Sequence, residues 1–318
     1  MKDITGNPMS QLTFSKRQMS NVSYHASNKT KKVALVVEGG GMRNIFAAGV
    51  LDSFNENNFD PFTLYLGVSA GSMSLASHLA GQYLRNYRVL MHCATSGAFI
   101  SSWNYLRGGH YINLDWLTTK CLKMHPLNTV DIMKNLADND KKFIVVCTNT
   151  ETGQPDYFYP NASNILNVLT GSCCIPLLYR NPVYLAGIRV IDGGIGDPIP
   201  VKKAYLEGAT DIVIIRSRIR SYRETKDSLE KKLGCFLYRH SPNIHRSILN
   251  FADTYNEGIA FIDKPPRGVT TFQIAPQQQL KSNMATTNTK TLEHDYLLGK
   301  ELGKKFIMDS RSNANQLV

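Results

Sequence analysis

The strongest fold signal in this chain is Leu64-Tyr65-Leu66-Gly67-Val68-Ser69-Ala70-Gly71. It joins an apolar run, typical of a buried strand, to a serine held between two glycines. Apolar residues at helical spacing then continue to Ala80. No charge occurs between Asp60 and Arg85, but the serines, histidine and glutamine in this interval argue against a membrane-spanning helix. The pattern therefore predicts a strand, a tight turn and a buried helix.

A second unit of the same kind precedes it. Val33-Ala34-Leu35-Val36-Val37 is a continuous apolar run, typical of a parallel strand that is buried on both faces. The run ends at Glu38 and at the glycines Gly39-Gly40-Gly41, and apolar residues at mostly helical spacing begin at Ile45. Two strand, loop and helix units in succession favour an α/β fold with right-handed crossovers.

The rest of the chain carries further strand and helix patterns. Residues 85–142 are mixed, mostly helix and loop, and their detailed order is not predicted. Later strands are expected at 143–147 (followed by a polar turn), at 183–191 as a hairpin, at 212–215 and at 272–275. Helices are expected at 161–171, after Pro198 and Pro200, and over most of the remainder to residue 310.

The composition is that of a folded globular protein. Of the 318 residues, 42% are apolar and 19% are charged, and there is no repeat or long low-complexity tract, which excludes disordered, solenoid and collagen-like classes. The six cysteines are scattered without metal-ligand spacing, as expected for reduced core thiols in a cytoplasmic protein. Residues 1–30 are polar and lack the apolar segment of a secretory signal. They are predicted to form a disordered tail, with an amphipathic targeting segment as the alternative.

The formal net charge of +11 is concentrated in residues 216–246. This segment has an excess of basic residues: Arg216, Arg218, Arg220, Arg223, Lys226, Lys231, Lys232, Arg239 and Arg246 against Glu224, Asp227 and Glu230. A basic surface attracts anionic lipid, so the segment predicts peripheral contact with an anionic membrane, with a solvated helix face as the alternative. Nucleic acid is a poor fit, because no motif of aromatic and basic residues accompanies the charges.

Ser69 is the predicted nucleophile. A serine hydroxyl attacks an ester only with an adjacent base and with N–H groups aimed at the developing oxyanion. In a G-x-S-x-G turn, the glycines at 67 and 71 let the chain turn sharply from strand to helix and present the hydroxyl at the helix N-terminus. Gly39-Gly40-Gly41 also lies between a strand and a helix, and it lacks the residues that accompany nucleotide-binding loops. These glycines are therefore predicted to form the oxyanion hole beside Ser69.

Two kinds of residue could act as the base for Ser69. One is a late histidine, as in the chain order of α/β-hydrolases. Three histidines are available, none of them after a predicted strand: His240, His245 and His294. The other is Asp192, which does follow a predicted strand and precedes the tight turn Gly193-Gly194. Asp192 is the stronger candidate, although a plain turn aspartate is an alternative interpretation.

Taken together, Gly39–Arg43, Gly67–Gly71 and Asp192–Gly194 resemble, in their order, the motifs of the patatin-like phospholipase family, most closely those of its bacterial members. The resemblance covers residues 31–309. It implies a three-layer α/β/α sandwich with a mainly parallel central sheet. The expected organisation is a catalytic core, a mainly helical C-terminal part of the same domain and a short tail, at residues 31–220, 221–309 and 310–318.

The resemblance also implies a catalytic dyad. Ser69 would attack an ester carbonyl, Asp192 would take its proton, and water would release the acyl-enzyme. Backbone amides of the glycine loop, at Gly40, Gly41 and Met42, would hold the oxyanion. The expected oxyanion loop as a whole is Gly39, Gly40, Gly41, Met42 and Arg43, and Gly193 and Gly194 would complete the turn at Asp192. Neither a metal nor another cofactor is expected.

The activity implied is that of a serine lipid acyl hydrolase of the phospholipase A or lysophospholipase kind. An acyltransferase with the same dyad, or a non-catalytic lipid-binding relative, is the alternative. The second alternative is suggested by Asn44, which stands where the family usually has glycine. Glu38, where many relatives have aspartate, is a smaller departure. Arg43 could orient a phosphate or brace the loop.

Overall fold

The computed structural model describes residues 31–226, 235–236, 238–239 and 241–312, except for the side chains of residues 121 and 122. At its centre is an eight-stranded sheet. The strands are β1 Val33–Val37, β2 Leu64–Val68, β3 Lys142–Asn149, β4 Pro155–Phe158, β5 Val183–Leu185, β6 Ile188–Asp192, β7 Asp211–Ile215 and β8 Thr270–Ile274. The predicted tail at residues 1–30 lies outside the described residues.

The sheet is mainly parallel. In the sequence of pairings β5-β6-β3-β2-β1-β7-β8, each strand is hydrogen-bonded to the strands named next to it, and β4 also pairs with β3. The neighbours β3, β2, β1, β7 and β8 are parallel, whereas β4 and β6 run antiparallel to β3, and β5 runs antiparallel to β6. The α/β fold with a mainly parallel sheet is therefore confirmed.

The edge of β3 brings the ends of two other strands together. Val146 pairs with Val68 of β2 and also with β4, so these two strands lie on opposite edges of β3. Cys147 pairs with β4 and also with Asp192 of β6, which places β6 on the same edge as β2. Since β2 and β6 run in opposite directions, their carboxyl ends meet there. The residue after β2, Ser69, and the last residue of β6, Asp192, come together for this reason.

Ten α-helices surround the sheet in the described part of the chain. They are α1 Ile45–Glu56, α2 Ala70–Leu79, α3 Arg85–Arg88, α4 Ser102–Leu106, α5 Leu114–Met124, α6 Thr129–Asp138, α7 Ile165–Cys173, α8 Val201–Leu206, α9 Pro242–Asp263 and α10 Thr289–Ser312. A 3₁₀ turn, Gly41–Asn44, precedes α1, and a π-helical turn, Val89–Ala94, follows α3. In the described ranges, we find no helix with the length and apolar character needed to cross a membrane.

Successive residues of the central strands point to opposite faces of the sheet and belong to two separate hydrophobic cores. Leu35 and Tyr65 belong to the core beneath α1, α2, α6, α7 and α10. Val36 and Leu66 belong to the core beneath α8 and α9. Both faces of the sheet are thus covered, which explains why its central strands are continuous apolar runs rather than alternating ones. The result is the expected three-layer α/β/α arrangement.

The C-terminal helices belong to this arrangement. The described residues form one compact unit. The Tyr296 hydroxyl on α10 donates a 2.9 Å hydrogen bond to buried Asp52 on α1, and β8 extends the parallel sheet beside β7. The last helix ends at Ser312, so the first three residues of the predicted C-terminal tail are helical, and residues 313–318 lie outside the described ranges.

Two local predictions need correction. Residues 155–158 form the half-buried strand β4, where the polar composition after β3 had indicated a turn. The helix predicted from residue 161 begins only at Ile165. The Asn161 carboxamide oxygen accepts the N–H groups of Ser163 and Asn164, and this local turn replaces the first helical residues.

Candidate active site

Ser69 lies in a strained turn between β2 and α2. Its φ and ψ of 52° and −129° fall outside the conformations that residues with side chains favour. Gly67 lies within β2, and Gly71 opens α2 against the end of β1. A Cβ atom at Gly71 would lie 2.5 Å from the carbonyl oxygen of Val37, so only glycine allows this approach. The turn therefore places the nearly buried Ser69 at the start of α2 and next to the glycine loop.

Asp192 is buried at the end of β6, beside this turn. Its Oδ1 atom accepts a 2.8 Å hydrogen bond from the N–H of Gly194. Its Oδ2 atom is buried and has no hydrogen-bond partner among the described residues. A Cβ atom at Gly193 would collide with the carbonyl of Val146, which is why the turn after Asp192 can lie so close to β3. The Oδ1 atom of Asp192 is thus fixed by a hydrogen bond, and the Oδ2 atom can still accept one.

Burial raises the pKa of Asp192 to about 6, although the Ser69 hydroxyl and the N–H of Gly194 both act to lower it. Ser69 and Asp192 line the same cavity. A carboxylate with this pKa is more basic than an ordinary aspartate and is still mostly ionised at neutral pH. Asp192 is therefore suited to accept a proton from Ser69.

Ser172, at the end of α7, connects the two residues. Its hydroxyl oxygen accepts the Ser69 N–H at 2.8 Å and donates to the carbonyl of Val146 at 2.6 Å. Its own carbonyl accepts the N–H of Gly193 at 3.2 Å, and Ser172 is fully buried. This residue was not predicted from the sequence, where it is one of three polar side chains, with Asn167 and Thr170, in a mainly apolar helical segment.

The glycines before α1 offer unused backbone donors. Within the described residues, the N–H groups of Gly39, Gly40 and Gly41 have no hydrogen-bond acceptor, and all three residues line a cavity that also contains Ser69. Gly41 has a φ of 55° and opens the 3₁₀ turn. The three amides can therefore receive a developing oxyanion.

The backbone amides of Met42 and Arg43 are already hydrogen-bonded. The N–H of Met42 donates to the carbonyl of Met284 at 3.2 Å, and the N–H of Arg43 donates to the carbonyl of Gly40 at 3.1 Å. The Met42 side chain is buried in an apolar cluster. These two amides therefore already have backbone acceptors, whereas those of the three glycines have none among the described residues, and the oxyanion hole stays a prediction.

Glu38 supports the glycine loop from below. Its two carboxylate oxygens each accept a 2.9 Å hydrogen bond, one from the N–H of Ser217 and one from the hydroxyl of Tyr255. The Tyr255 hydroxyl in turn accepts a 3.0 Å hydrogen bond from the guanidinium of Arg216, which is fully buried. The start of the loop is thus tied to β7 and α9.

Asn44 has a structural explanation. Its side-chain amide donates to the carbonyl of Glu38 at 3.3 Å, and its carboxamide oxygen accepts the hydroxyl of Ser74 on α2. The side chain is buried and spans the gap between the glycine loop and α2. The departure from glycine therefore adds a brace at this position.

An apolar cavity of about 130 Å³ opens on one side of Ser69. Its lining is mostly aliphatic and comes from α2, from the segment between α2 and α6, and from α7: Met73, Val89, Leu90, Ile112, Leu114, Leu117, Leu127, Leu166 and Leu169. Leu166 is 38% exposed, so it marks the place where this cavity reaches the surface. The cavity can accept an apolar chain next to Ser69.

A polar cavity of about 600 Å³ lies on the other side of Ser69. It also contains Asp192 and the three glycines, and its walls carry charged and hydroxyl groups: Glu38, Arg43, Arg218, Tyr222, Glu224 and Tyr255. Ser69 thus borders both an apolar cavity and a roomier polar one.

The family of the chain follows from its sequence profile. The profile of the patatin-like phospholipase family matches residues 35–205, which include the glycine loop, Ser69 and Asp192. The match spans more than half of the chain. The chain belongs to the patatin-like phospholipase family. A second profile, of a domain of unknown function, matches residues 241–313, the region of α9, β8 and α10.

One protein sequence and one solved structure can be compared with this patatin-like chain. An uncharacterized protein of Escherichia coli (strain K12), YjjU, is 36% identical over 279 residues, which are 87% of this chain and 77% of that protein. The crystal structure of VipD from Legionella pneumophila aligns with a TM-score of 0.44 and 13% identity, over 88% of this chain and 67% of VipD. The similarity to VipD is too low to carry an argument.

Of the three histidines considered from the sequence, the two that the structure describes, His245 and His294, do not line either cavity at Ser69. Neither cavity beside Ser69 has a histidine in its described lining. His245 lies on α9, His294 contacts Asp295 on α10, and His240 lies outside the described residues. The described ranges also contain no group of three or more histidine, cysteine, aspartate or glutamate side chains placed to bind a metal.

The basic segment of the patatin-like chain is not a single exposed patch. Arg216 is fully buried and cannot touch a membrane, which corrects its predicted role. Arg218 lines the polar cavity, Arg223 pairs with Asp263 at 2.6 Å, and Lys226 pairs with Asp253 at 2.9 Å. Four of the charged residues named for this segment lie outside the described ranges: Asp227, Glu230, Lys231 and Lys232. Membrane contact through the remaining basic residues stays a prediction.

Proposed function

We propose that this chain is a serine lipid acyl hydrolase that cleaves carboxylic esters with a Ser69–Asp192 dyad. The observation that carries the proposal is the meeting of β2 and β6 on one edge of β3. It sets the strained Ser69 beside a buried carboxylate whose Oδ2 atom has no partner among the described residues. Membership of a family that acts on lipids agrees with this assignment.

The reaction begins when the Ser69 Oγ attacks the ester carbonyl and its proton passes to Asp192. The carbonyl oxygen becomes negatively charged, and the amides of Gly39, Gly40 and Gly41 donate hydrogen bonds to it. The intermediate collapses, the C–O bond to the alcohol breaks, and the leaving alkoxide takes the proton from Asp192. A water molecule then attacks the acyl-enzyme while Asp192 accepts its proton. The bond between the acyl carbon and the Ser69 Oγ breaks, the carboxylic acid is released, and Asp192 returns the proton to Ser69.

The two cavities suggest how the substrate is oriented. The acyl chain enters the apolar cavity beneath α5 and α7, where burial of its methylene groups contributes about 0.8 kcal/mol each. The alcohol portion of the ester occupies the polar cavity beside Asp192. An ester with one apolar and one polar end, as in a phospholipid or lysophospholipid, fits this division.

Labelling with a fluorophosphonate probe, together with hydrolysis of a short p-nitrophenyl ester, tests the proposal. We expect Ser69→Ala to abolish both signals, because the attacking oxygen is lost without a large cavity in the core. We expect Asp192→Asn to slow hydrolysis by about 10²–10⁴-fold, the range typical of a general base. The exposed variants Ser163→Ala and Asp138→Asn serve as matched controls and should behave like the wild type.

A folded wild-type chain that neither labels nor hydrolyses esters would contradict the proposal, as would an Asp192→Asn variant of undiminished rate. Product analysis in the presence of glycerol separates hydrolysis from acyl transfer. Release of free fatty acid supports the hydrolase, whereas transfer of most acyl groups to glycerol would indicate an acyltransferase with the same dyad.

A further inference from the structure

Beside the polar cavity lies a smaller side cavity of about 100 Å³. Its lining includes two guanidinium groups and several side chains with hydroxyl or amide groups: Arg43, Arg218, Ser217, Gln279, Ser282 and Asn283. No carboxylate of the described residues lines it. A space of this size holds a few water molecules or one small polar group.

The two arginines of the side cavity lack carboxylate partners. The Nε atom of Arg43 is buried without a hydrogen-bond partner in the described part of the chain. Arg218 stacks on the ring of Tyr222, with 4.5 Å between the guanidinium carbon and the ring centre, and forms no ion pair with any described residue. Stacking uses the face of the guanidinium and leaves its N–H edges available.

The charges of Arg43 and Arg218 lie close to each other. Burial is the largest cause that lowers the pKa of Arg43, and the positive charge of Arg218 lowers it further. The nearby carboxylate of Glu38 raises it. Two neighbouring cations disfavour each other's charged form when no anion stands between them. A bound anion would remove this repulsion.

The carboxylates near the side cavity already have partners. Glu38 accepts hydrogen bonds from Ser217 and Tyr255. Asp295 lies fully buried behind Ser282 and accepts both its N–H, at 2.7 Å, and its hydroxyl, at 2.6 Å. Glu224, on the wall of the polar cavity, accepts the Tyr222 hydroxyl at 2.8 Å.

The side cavity continues into the catalytic compartment. Arg43, Arg218, Tyr222 and Asn283 line both the side cavity and the polar cavity that contains Ser69. An anionic group held by the arginines would therefore lie on the alcohol side of an ester bound at Ser69, opposite the apolar cavity.

We propose that Arg43 and Arg218 form a phosphate-binding subsite, and that it holds the phosphate of a substrate whose ester is a few bonds away. The planar guanidinium groups can each offer two parallel N–H donors to phosphate oxygens. The substrate role rests on the proposed esterase function, whereas phosphate binding itself does not. The same chemistry would also bind free inorganic phosphate.

Calorimetry with the full chain tests the subsite without catalysis. The probes are glycerol 3-phosphate, inorganic phosphate and glycerol. We expect the wild type to bind glycerol 3-phosphate and not glycerol, Arg218→Gln to weaken this binding at least tenfold, and Arg218→Lys to weaken it less. Arg223→Gln is the matched control, since Arg223 lies on the same segment but pairs with Asp263. Equal binding by wild type and a folded Arg218→Gln variant, or equal binding of glycerol and glycerol 3-phosphate, would overturn the proposal.

Hydrolysis of a matched substrate pair identifies the source of the phosphate. The pair is 1-octanoyl-glycerol 3-phosphate and 1-octanoylglycerol, and the readout is the ratio of their kcat/KM values. If the subsite holds a substrate phosphate, Arg218→Gln lowers this ratio at least tenfold and Arg223→Gln leaves it as in the wild type. An unchanged ratio, with phosphate binding intact, would assign the subsite to free phosphate and overturn its substrate role. A wild type that hydrolyses neither ester would refute the proposed function, and calorimetry would still decide on the subsite.

Discussion

Among single residues, Asp192 determines how activity should depend on pH. Its carboxyl has a pKa of about 6, raised by burial, and it can accept a proton only when ionised. We therefore expect kcat/KM for a neutral p-nitrophenyl ester to fall as the pH drops through about 6 and to level off above about 7. A pH–rate profile with the ester's spontaneous hydrolysis subtracted measures this. An acidic limb near pH 4, the range of an ordinary aspartate, would argue against a buried base.

Ser172 is the second residue with a testable role. Its hydroxyl is the acceptor for the Ser69 N–H, so Ser172→Ala leaves a buried donor without a partner, at a cost of about 1–3 kcal/mol. Because the strained turn at Ser69 then loses a support, we expect kcat to fall about tenfold or more while KM stays close to the wild-type value. Steady-state kinetics with a short ester provides this split.

Thr170→Ala is the matched control for Ser172→Ala. Thr170 lies on the same helix, and its hydroxyl bonds only to the carbonyl of Leu166 in that helix. The variant should retain wild-type kcat. Thermal unfolding measures how much of the Ser172→Ala protein is folded. If kcat falls only in proportion to the loss of folded protein, the role of Ser172 is structural.

Among the secondary-structure elements, α5 and α7 contribute apolar walls to the cavity beside Ser69. Leu117 on α5 lines this cavity, so Leu117→Trp should shorten it. We expect kcat/KM to drop for p-nitrophenyl esters of long chains, about 12 to 16 carbons, and to stay near wild type for the four-carbon ester, because only long chains reach the wall. Leu106→Trp, at a position that is 77% exposed, is the control. Equal losses for short and long chains would mean that acyl chains bind elsewhere.

For the molecule as a whole, the C-terminal region should be required for folding. It is matched by a profile of its own, yet β8 extends the sheet, α9 covers one core and α10 packs on α1. A chain that ends after residue 226 would expose these apolar surfaces to water. We expect it to lack near-ultraviolet circular dichroism and fluorophosphonate labelling, whereas a chain that ends at residue 312 should keep both. A folded, labelled short fragment would show that the catalytic core is a separate domain.

Much of the framework was predictable because its signals are local. The apolar runs of β1 and β2 are each followed at once by glycines and a helical pattern, and the strand before Asp192 ends in two glycines. These patterns depend on neighbours within a few residues and on burial of both sheet faces. They were enough to predict the α/β fold and to select Ser69 and Asp192 as the candidates for the dyad.

The partners of individual groups depend on residues far apart in the chain. The acceptor for the Ser69 N–H is Ser172, 103 positions away, and the acceptor that occupies the Met42 N–H is the carbonyl of Met284. Likewise, Arg216 and Arg218 are two residues apart, but one is buried against Tyr255 and the other lines a cavity. A group forms a hydrogen bond or an ion pair with the partner that folding brings within about 3 Å of it. The local sequence does not indicate which distant residue that will be. The same holds for Ser69 and Asp192: glycines and apolar runs mark them as candidates, and only the shared edge of β3 places them side by side.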